Sequence, residues 1–211
     1  MRVVECVQGS PQWIRARLGV PTASQFHRIY SPARRRPSKQ RDMYLLELLD
    51  EWSHRVREDP FENHWTRRGQ DLEPLARFDY TMTTGAAVRE VGFILRGDGL
   101  CGCSPDGLVG DDTVLEIKAK SPHRHARVLA GYAPGHTMQC QGLLYVTERP
   151  LAHLWHFCTE SESVLTVIER DDDMIQDMIP CLNEFIEELE QEKRTVALAH
   201  GRDYESRSLS R

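Results

Sequence analysis

At 211 residues, 40% of them hydrophobic, the chain can bury one sizeable core and is too short for two typical domains, so a single domain over 1–211 is expected. No run approaches the roughly 18 apolar residues of a membrane span, and Met1 to Cys6 lead into no apolar stretch that would make a signal peptide, so a cytoplasmic protein without membrane association is expected; its six scattered cysteines then stay thiols rather than a disulfide framework. The formal net charge of −5 speaks against a nucleic-acid partner until its distribution is seen: Glu160 to Glu192 holds twelve acids against Arg170 alone, a local −11, which leaves the rest of the chain at +6.

In chain order, Gln8 to Leu18 opens with turn residues and continues as a short helix ending at Gly19. Pro21 to Tyr30 reads as a helix start led by small hydroxylic residues, and such an end, with unpaired backbone N–H groups, can receive an anion. Ser31 to Arg41 is a Pro-containing loop carrying Arg34, Arg35, Arg36, Lys39 and Arg41; a run like this is more often solvated than a contact surface, and Arg34 is retained as a candidate DNA contact. Asp42 to Val56 repeats apolar residues on one helix face, and a second helix is expected over about Trp65 to Tyr80, with Pro74 easiest to accommodate in a first turn.

Val88 to Leu95, Gly99 to Val109 and Thr113 to Lys120 read as three strands of an antiparallel meander. After a loop from Ser121 to Gly135, His136 to Thr147 is helical, Leu151 to Cys158 and Ser163 to Ile168 are strands, and a final helix aligns Met174, Ile175, Met178, Ile179, Leu182, Phe185, Ile186 and Leu189 on one face. The polar residues from about 200 onward are expected to fray.

The chemistry concentrates in the meander. In Val114 to Lys120 the strand period of two puts Glu116 and Lys118 on one face and Leu115, Ile117 and Ala119 on the other. By itself this is an ordinary half-buried strand with a solvated charged face, and Ser104-Pro105-Asp106-Gly107 by itself is a common β-turn. Together they place Asp106 near Glu116 if the two strands are neighbours. Two carboxylates that close repel unless a cation lies between them, and hard oxygen ligands favour Mg²⁺ or Mn²⁺ over zinc. Cys101-Gly102-Cys103 lacks further cysteines at cluster spacing, and His123, His125 and His136 lack a standard ligand spacing.

These words, taken together, resemble the lambda exonuclease type (YqaJ-like viral recombinase) of the PD-(D/E)xK nuclease superfamily. The resemblance runs, in order, through Leu18 to Ser24, Gly69 with Glu73, Ala76 and Tyr80, Cys103 to Gly107, Leu115 to Lys118, and Gln139-Cys140-Gln141. It implies an α/β fold with a restriction-endonuclease-like core, a central mixed β-sheet flanked by helices. It further implies Asp106 and Glu116 as metal ligands joined by the Ile117 carbonyl, Glu73 completing the acidic cluster, Lys118 positioning or deprotonating water, and Gln141 holding a water or phosphate oxygen. Arg17, Ser24 and Ser104 match that family's pocket for a 5′-terminal phosphate; their plain alternatives are a surface charge and a helix cap. Trp13 could pack on the DNA end or in the core, and Pro74 beside Glu73 leaves the aim of that carboxylate open.

The implied activity is Mg²⁺-dependent (Mn²⁺ possible) 5′ to 3′ digestion of double-stranded DNA with two ions, leaving a 3′-ended strand for a single-strand annealing protein. The family's ring-shaped homotrimer is implied only by resemblance, since the last helix can bury its stripe within one subunit. The competing readings are an endonuclease or junction-cleaving enzyme of the same superfamily, a non-catalytic DNA-binding module, and a structural metal protein using Cys and His.

Overall fold

The computed structural model describes residues 1–55, 64–132, 135–201 and 204, with the backbone alone for 64–67 and 70. In chain order the elements are β1 (Arg2–Val4), α1 (Pro11–Arg17), β2 (Tyr30–Ser31), β3 (Arg36–Pro37), α2 (Arg41–His54), α3 (His64–Thr84), β4 (Val88–Arg89), β5 (Phe93–Leu95), β6 (Gly102–Cys103), β7 (Gly107–Val109), β8 (Thr113–Ala119), α4 (Pro122–Leu129), α5 (Thr137–Thr147), β9 (Leu151–Phe157), β10 (Val164–Glu169) and α6 (Asp172–Ala199). Short 3₁₀ segments occupy Ala23–Arg28 and Pro32–Arg34.

The central sheet has the order β10-β9-β8-β7-β4, with β8 and β9 parallel and the other pairs antiparallel. The parallel step needs a crossover, and α4 and α5 supply it. Helices cover both faces. On one side Ala76 and Tyr80 of α3 pack on Leu115, Ile117, Trp155 and Phe157. On the other, α5 and α6 close over Val114, Ala152 and Leu154, with Ile175, Met178, Leu182, Phe185 and Leu189 of α6 forming the stripe read from its periodicity. Both faces of β8 are therefore covered, and Thr113 through Ile117 are all buried. The expectation of a solvated charged face on this strand is corrected: Glu116 is 3% exposed, because α5 roofs the side that period two alone leaves open.

Two of the expected strands are broken. Val88 to Leu95 divides into β4 and β5, and Gly99 to Val109 divides into β6 and β7. Each half belongs to a different sheet, since β5 and β6 join β1 in a separate three-stranded sheet. The ladder hands over at Glu90 to Gly92 and at Ser104 to Asp106, and Gln8 ties the two breaks together by donating to the carbonyls of Val91 (3.0 Å) and Pro105 (2.9 Å). Helix α3 runs through Pro74 without a break, contrary to a helix that begins late there. The segment read as a loop after Lys120 contains α4, and the segment after Pro21 forms a six-residue 3₁₀ turn rather than an α-helix, too short to act as an anion-binding helix end. Val56, and the tail apart from His200, Gly201 and Tyr204, lie outside the described residues.

The charge asymmetry is partly an internal pairing. Arg35 meets Asp177 at 2.5 Å and Arg41 meets Glu188 at 2.6 Å, both acids belonging to α6, and Lys193 joins Glu190 to the carbonyl of Gly19. The basic run thus docks the acidic helix, while Arg34 stays exposed at the end of its 3₁₀ turn.

Gly102 lets the strand carrying the site lie against its neighbours: its N–H donates to the carbonyl of Pro21, and it bridges Thr22. A Cβ here would overlap the Phe93 ring and come within 2.7 Å of the Ile94 carbonyl oxygen, neither of which can swing away. Gly102→Ala is expected to cost about 1–3 kcal/mol through overpacking, read as a fall in melting temperature of roughly 2–4 °C per kcal/mol.

Candidate active site

The site lies where β7 and β8 part. Asp106 donates its N–H to the Leu115 carbonyl at 3.1 Å, but the chain then turns away at Pro105, whose carbonyl is taken by Gln8. The Ile117 N–H, which would bond the next residue of an unbroken β7, is met instead by the Asp106 carboxylate at 2.5 Å. A strand residue sends its N–H and C=O to the same edge, so the Ile117 carbonyl opens into the same fork.

Glu116 stands beside it with asymmetric surroundings. Its Oε1 accepts from Lys118 Nζ and from Gln139 Nε2, each at 2.6 Å, whereas its Oε2 is buried with no hydrogen-bond partner. From α3, Arg77 pairs with Glu73 and donates Nε–H to the Asp106 carbonyl at 3.0 Å, with Glu90 on its other side at 2.9 Å. The structure thus brings Glu73, Asp106, Glu116 and Lys118 together, and adds Gln139 and Arg77, which the sequence reading did not assign. Arg77 carries no motif of its own, and its signal was helical register, since it follows Glu73 by four residues and so shares its face; Gln139 lay in the word Gln139-Cys140-Gln141, where only Gln141 was given a role.

Gln141 is corrected. It lies 2% exposed on another face of α5, where its amide donates to the Glu169 carbonyl at 2.8 Å and accepts from the Asp171 N–H at 2.9 Å, fastening the start of α6. Two positions along a helix turn a side chain by about 200°, so Gln139 and Gln141 cannot serve the same site.

Electrostatics follow from crowding. Burial pushes the Asp106 carboxyl well above its ordinary range, and Glu116 and Glu73 push it further. Glu73 is also raised, by burial first, against the opposing pull of Arg77. Lys118 is drawn down by burial but lifted more by Glu116 and Asp106, and ends above its ordinary value. The sign of the consequence is fixed. A carboxyl with a higher pKa in the folded state stabilises the fold below its unfolded value, and that contribution is lost as pH rises through the folded value. Asp106→Asn is therefore expected to gain melting temperature relative to the metal-free parent as pH goes from about 5 to about 8; a difference that stays flat with pH would refute the raised carboxyl.

The donor set fits a divalent cation. Glu116 Oε2 is a buried acceptor lacking a partner, Asp106 and the Ile117 carbonyl open beside it, and all are hard oxygens suited to Mg²⁺ or Mn²⁺. Among the described residues no three His, Cys, Asp or Glu side chains form a ready metal group, so the set is two carboxylates and a carbonyl rather than a closed protein cage.

Two residues before Asp106, Ser104 Oγ accepts from the Trp13 indole N–H at 2.8 Å and from Arg17 at 3.0 Å, and the Arg17 guanidinium lies 4.1 Å from the centre of the Trp13 ring. Trp13 thus sits in this pocket as a platform for Arg17. With both lone pairs engaged, the Ser104 hydroxyl can only donate its own proton outward. The Ser24 hydroxyl is 3.4 Å from that of Thr22, whose backbone bridges Gly102, so Ser24 and Ser104 ride on adjoining segments. No described contact links Arg34 to this group.

Residues 12–150 match the YqaJ-like viral recombinase domain. The chain belongs to this family. The YqaJ-like chain is similar in structure to an alkaline exonuclease (LHK-Exo) from Laribacter hongkongensis, with 30% identity and a TM-score of 0.81 over 91% of this chain and 98% of that one, and equally to LHK-Exo in complex with dAMP. A phage related exonuclease from Haemophilus somnus 129PT, at 14% identity, shares the fold, with a TM-score of 0.58 over 82% of this chain and 96% of that one. No curated protein matches the chain. The fold is the restriction-endonuclease-like one of these nucleases, and among the described residues no helix is long and apolar enough to cross a membrane.

Proposed function

We propose that this YqaJ-like chain is a metal-dependent deoxyribonuclease that digests double-stranded DNA in the 5′ to 3′ direction from ends bearing a 5′-phosphate. The observation that carries the reading is the fork itself: Asp106, Glu116 and Lys118 converge where β7 leaves β8, with the Arg17–Ser104 pocket two residues away along the same chain. The structural likeness to an alkaline exonuclease, known also with bound dAMP, supports a site that takes a nucleotide.

Asp106 and Glu116 would hold Mg²⁺, or Mn²⁺, with the Ile117 carbonyl, and two ions there would polarise the scissile phosphate and offset charge on the leaving oxygen. Against the downward pull of burial, Glu116 and Asp106 hold the Lys118 ammonium above its ordinary value. Once their charge is taken up, burial favours the neutral amine, which can accept a proton from the attacking water. Glu73 sits at the margin of the cluster, held by Arg77. Arg17 presents a forked cation and Ser104 a hydroxyl donor, the pair of groups that recognises a terminal phosphate; Ser24 borders the pocket, and Arg34 is an exposed cation available to the duplex. A 3′-ended strand would remain for a single-strand annealing protein, and the working assembly would be a homotrimer.

The test is digestion with Mg²⁺ of a linear duplex bearing 5′-phosphate, the same duplex bearing 5′-hydroxyl, and a covalently closed circle. Fastest loss of the phosphorylated linear DNA with an intact circle supports the reading. Cleavage of the circle would replace it with an endonuclease using the same site.

A further inference from the structure

We infer that Lys193 of α6, which lies beyond residues 12–150, is a positioning residue for the Arg17 pocket: it fixes the turn that ends α1 and so aims Arg17 at the end phosphate. The inference rests on the reading of Arg17 and Ser104 as the pocket for a 5′-phosphate. The turn hinges on Gly19, whose φ of +63° suits glycine and leaves the peptides on either side of it easy to swing. Both are gripped by charged side chains. The Gly19 N–H donates to Glu51 of α2 at 3.2 Å, and the Gly19 carbonyl accepts from Lys193 Nζ at 2.8 Å. That carbonyl and the Val20 N–H are the two ends of one planar peptide group, and the N–H donates to the Arg17 carbonyl at 3.0 Å. Rotating this plane away from Lys193 therefore pulls on the backbone of Arg17 itself.

Stability alone does not account for a lysine at this place. Lys193 is 5% exposed, and its charge is met by Glu190 at 2.8 Å, whose other oxygen accepts from the Tyr204 hydroxyl. A buried ion pair adds little net stability compared with apolar residues of the same volume. What this one adds is a donor of fixed direction at a single carbonyl, two residues along the chain from Arg17. The guanidinium needs that aim, because it lies over Trp13 and reaches Ser104 at 3.0 Å while only 8% exposed.

The test, on the full chain with Mg²⁺, is the ratio of digestion rates on 5′-phosphate and 5′-hydroxyl duplexes. Lys193→Met is expected to lower that ratio roughly 10-fold, inside the roughly 100-fold that a misplacement of about 1 Å can cost, with the loss falling in KM for the phosphorylated duplex. Glu51→Ala removes the other grip from a half-buried position, where the fold is less at risk, and is expected to lower the ratio in the same direction. Gln141→Met loosens the opposite end of α6; it is expected to lower the melting temperature and leave the ratio in place. A full ratio in folded Lys193→Met, or in Glu51→Ala if the first variant does not fold, overturns the inference, as does an equal loss in Gln141→Met. If the parent itself shows no preference for the phosphate, the reading of the pocket falls, and amide hydrogen exchange of the metal-free chain decides the inference. There the Val20 amide is expected to exchange roughly 10-fold faster in Lys193→Met than in the parent, through loss of a hydrogen bond to a charged group; an unchanged Val20 rate rejects the grip.

Discussion

Lys118→Ala is expected to lower the rate of DNA digestion by about 100- to 10,000-fold, the range for loss of a positioned general acid or base. The ammonium is 2.6 Å from Glu116 Oε1 and stands on β8, the strand that forms the floor of the fork. Loss of charge is not the whole expectation, because Lys118 also offsets a buried carboxylate. Lys118→Arg separates the two roles: it keeps a cation beside Glu116 but does not deprotonate. It should therefore melt close to the parent while remaining as inactive as the alanine variant. Activity of Lys118→Arg within tenfold of the parent would assign Lys118 to charge balance rather than proton transfer.

Arg17→Ala is expected to slow digestion of 5′-phosphorylated duplex by roughly 10- to 100-fold and to bring it level with the 5′-hydroxyl duplex. The magnitude follows from charge-assisted hydrogen bonds worth about 1.5–3 kcal/mol, at about 1.4 kcal/mol per tenfold. The pocket is preorganised: Arg17 is 8% exposed, lies over Trp13 and shares Ser104 with it. Trp13→Phe should retain the stacking platform but lose the indole donor, so a smaller loss of the phosphate preference is expected. Rates on both substrates, measured for both variants, check the pair; an undiminished preference in Arg17→Ala would place the end-recognition site elsewhere.

Much of the fold was legible because periodicity reports how one element meets its neighbours. The stripe of α6 is buried where its spacing puts it, and β9 and β10 lie close to the two apolar-rich segments read as strands. The breaks between β4 and β5 and between β6 and β7 were not legible, since Gly92, Gly102 and Pro105 are compatible both with a turn and with a weak strand. Helix α4 was missed because His, Arg and Pro dominate its composition, and Pro122 in its first turn reads equally well as loop.

The sequence by itself determined the identities and spacing of the chemical groups: Asp106 directly after Pro105, Glu116 and Lys118 on one face of a strand, Arg17 two residues before Gly19. Only the tertiary structure decided what covers that face and what meets each group. It buried Glu116 beneath α5, chose Gln139 over Gln141, set Arg77 between α3 and the fork, and joined Trp13 to Ser104 across 91 positions. The physical reason is that a local pattern fixes the direction of a side chain relative to its own backbone, whereas its partner is fixed by the packing of elements far away in the chain.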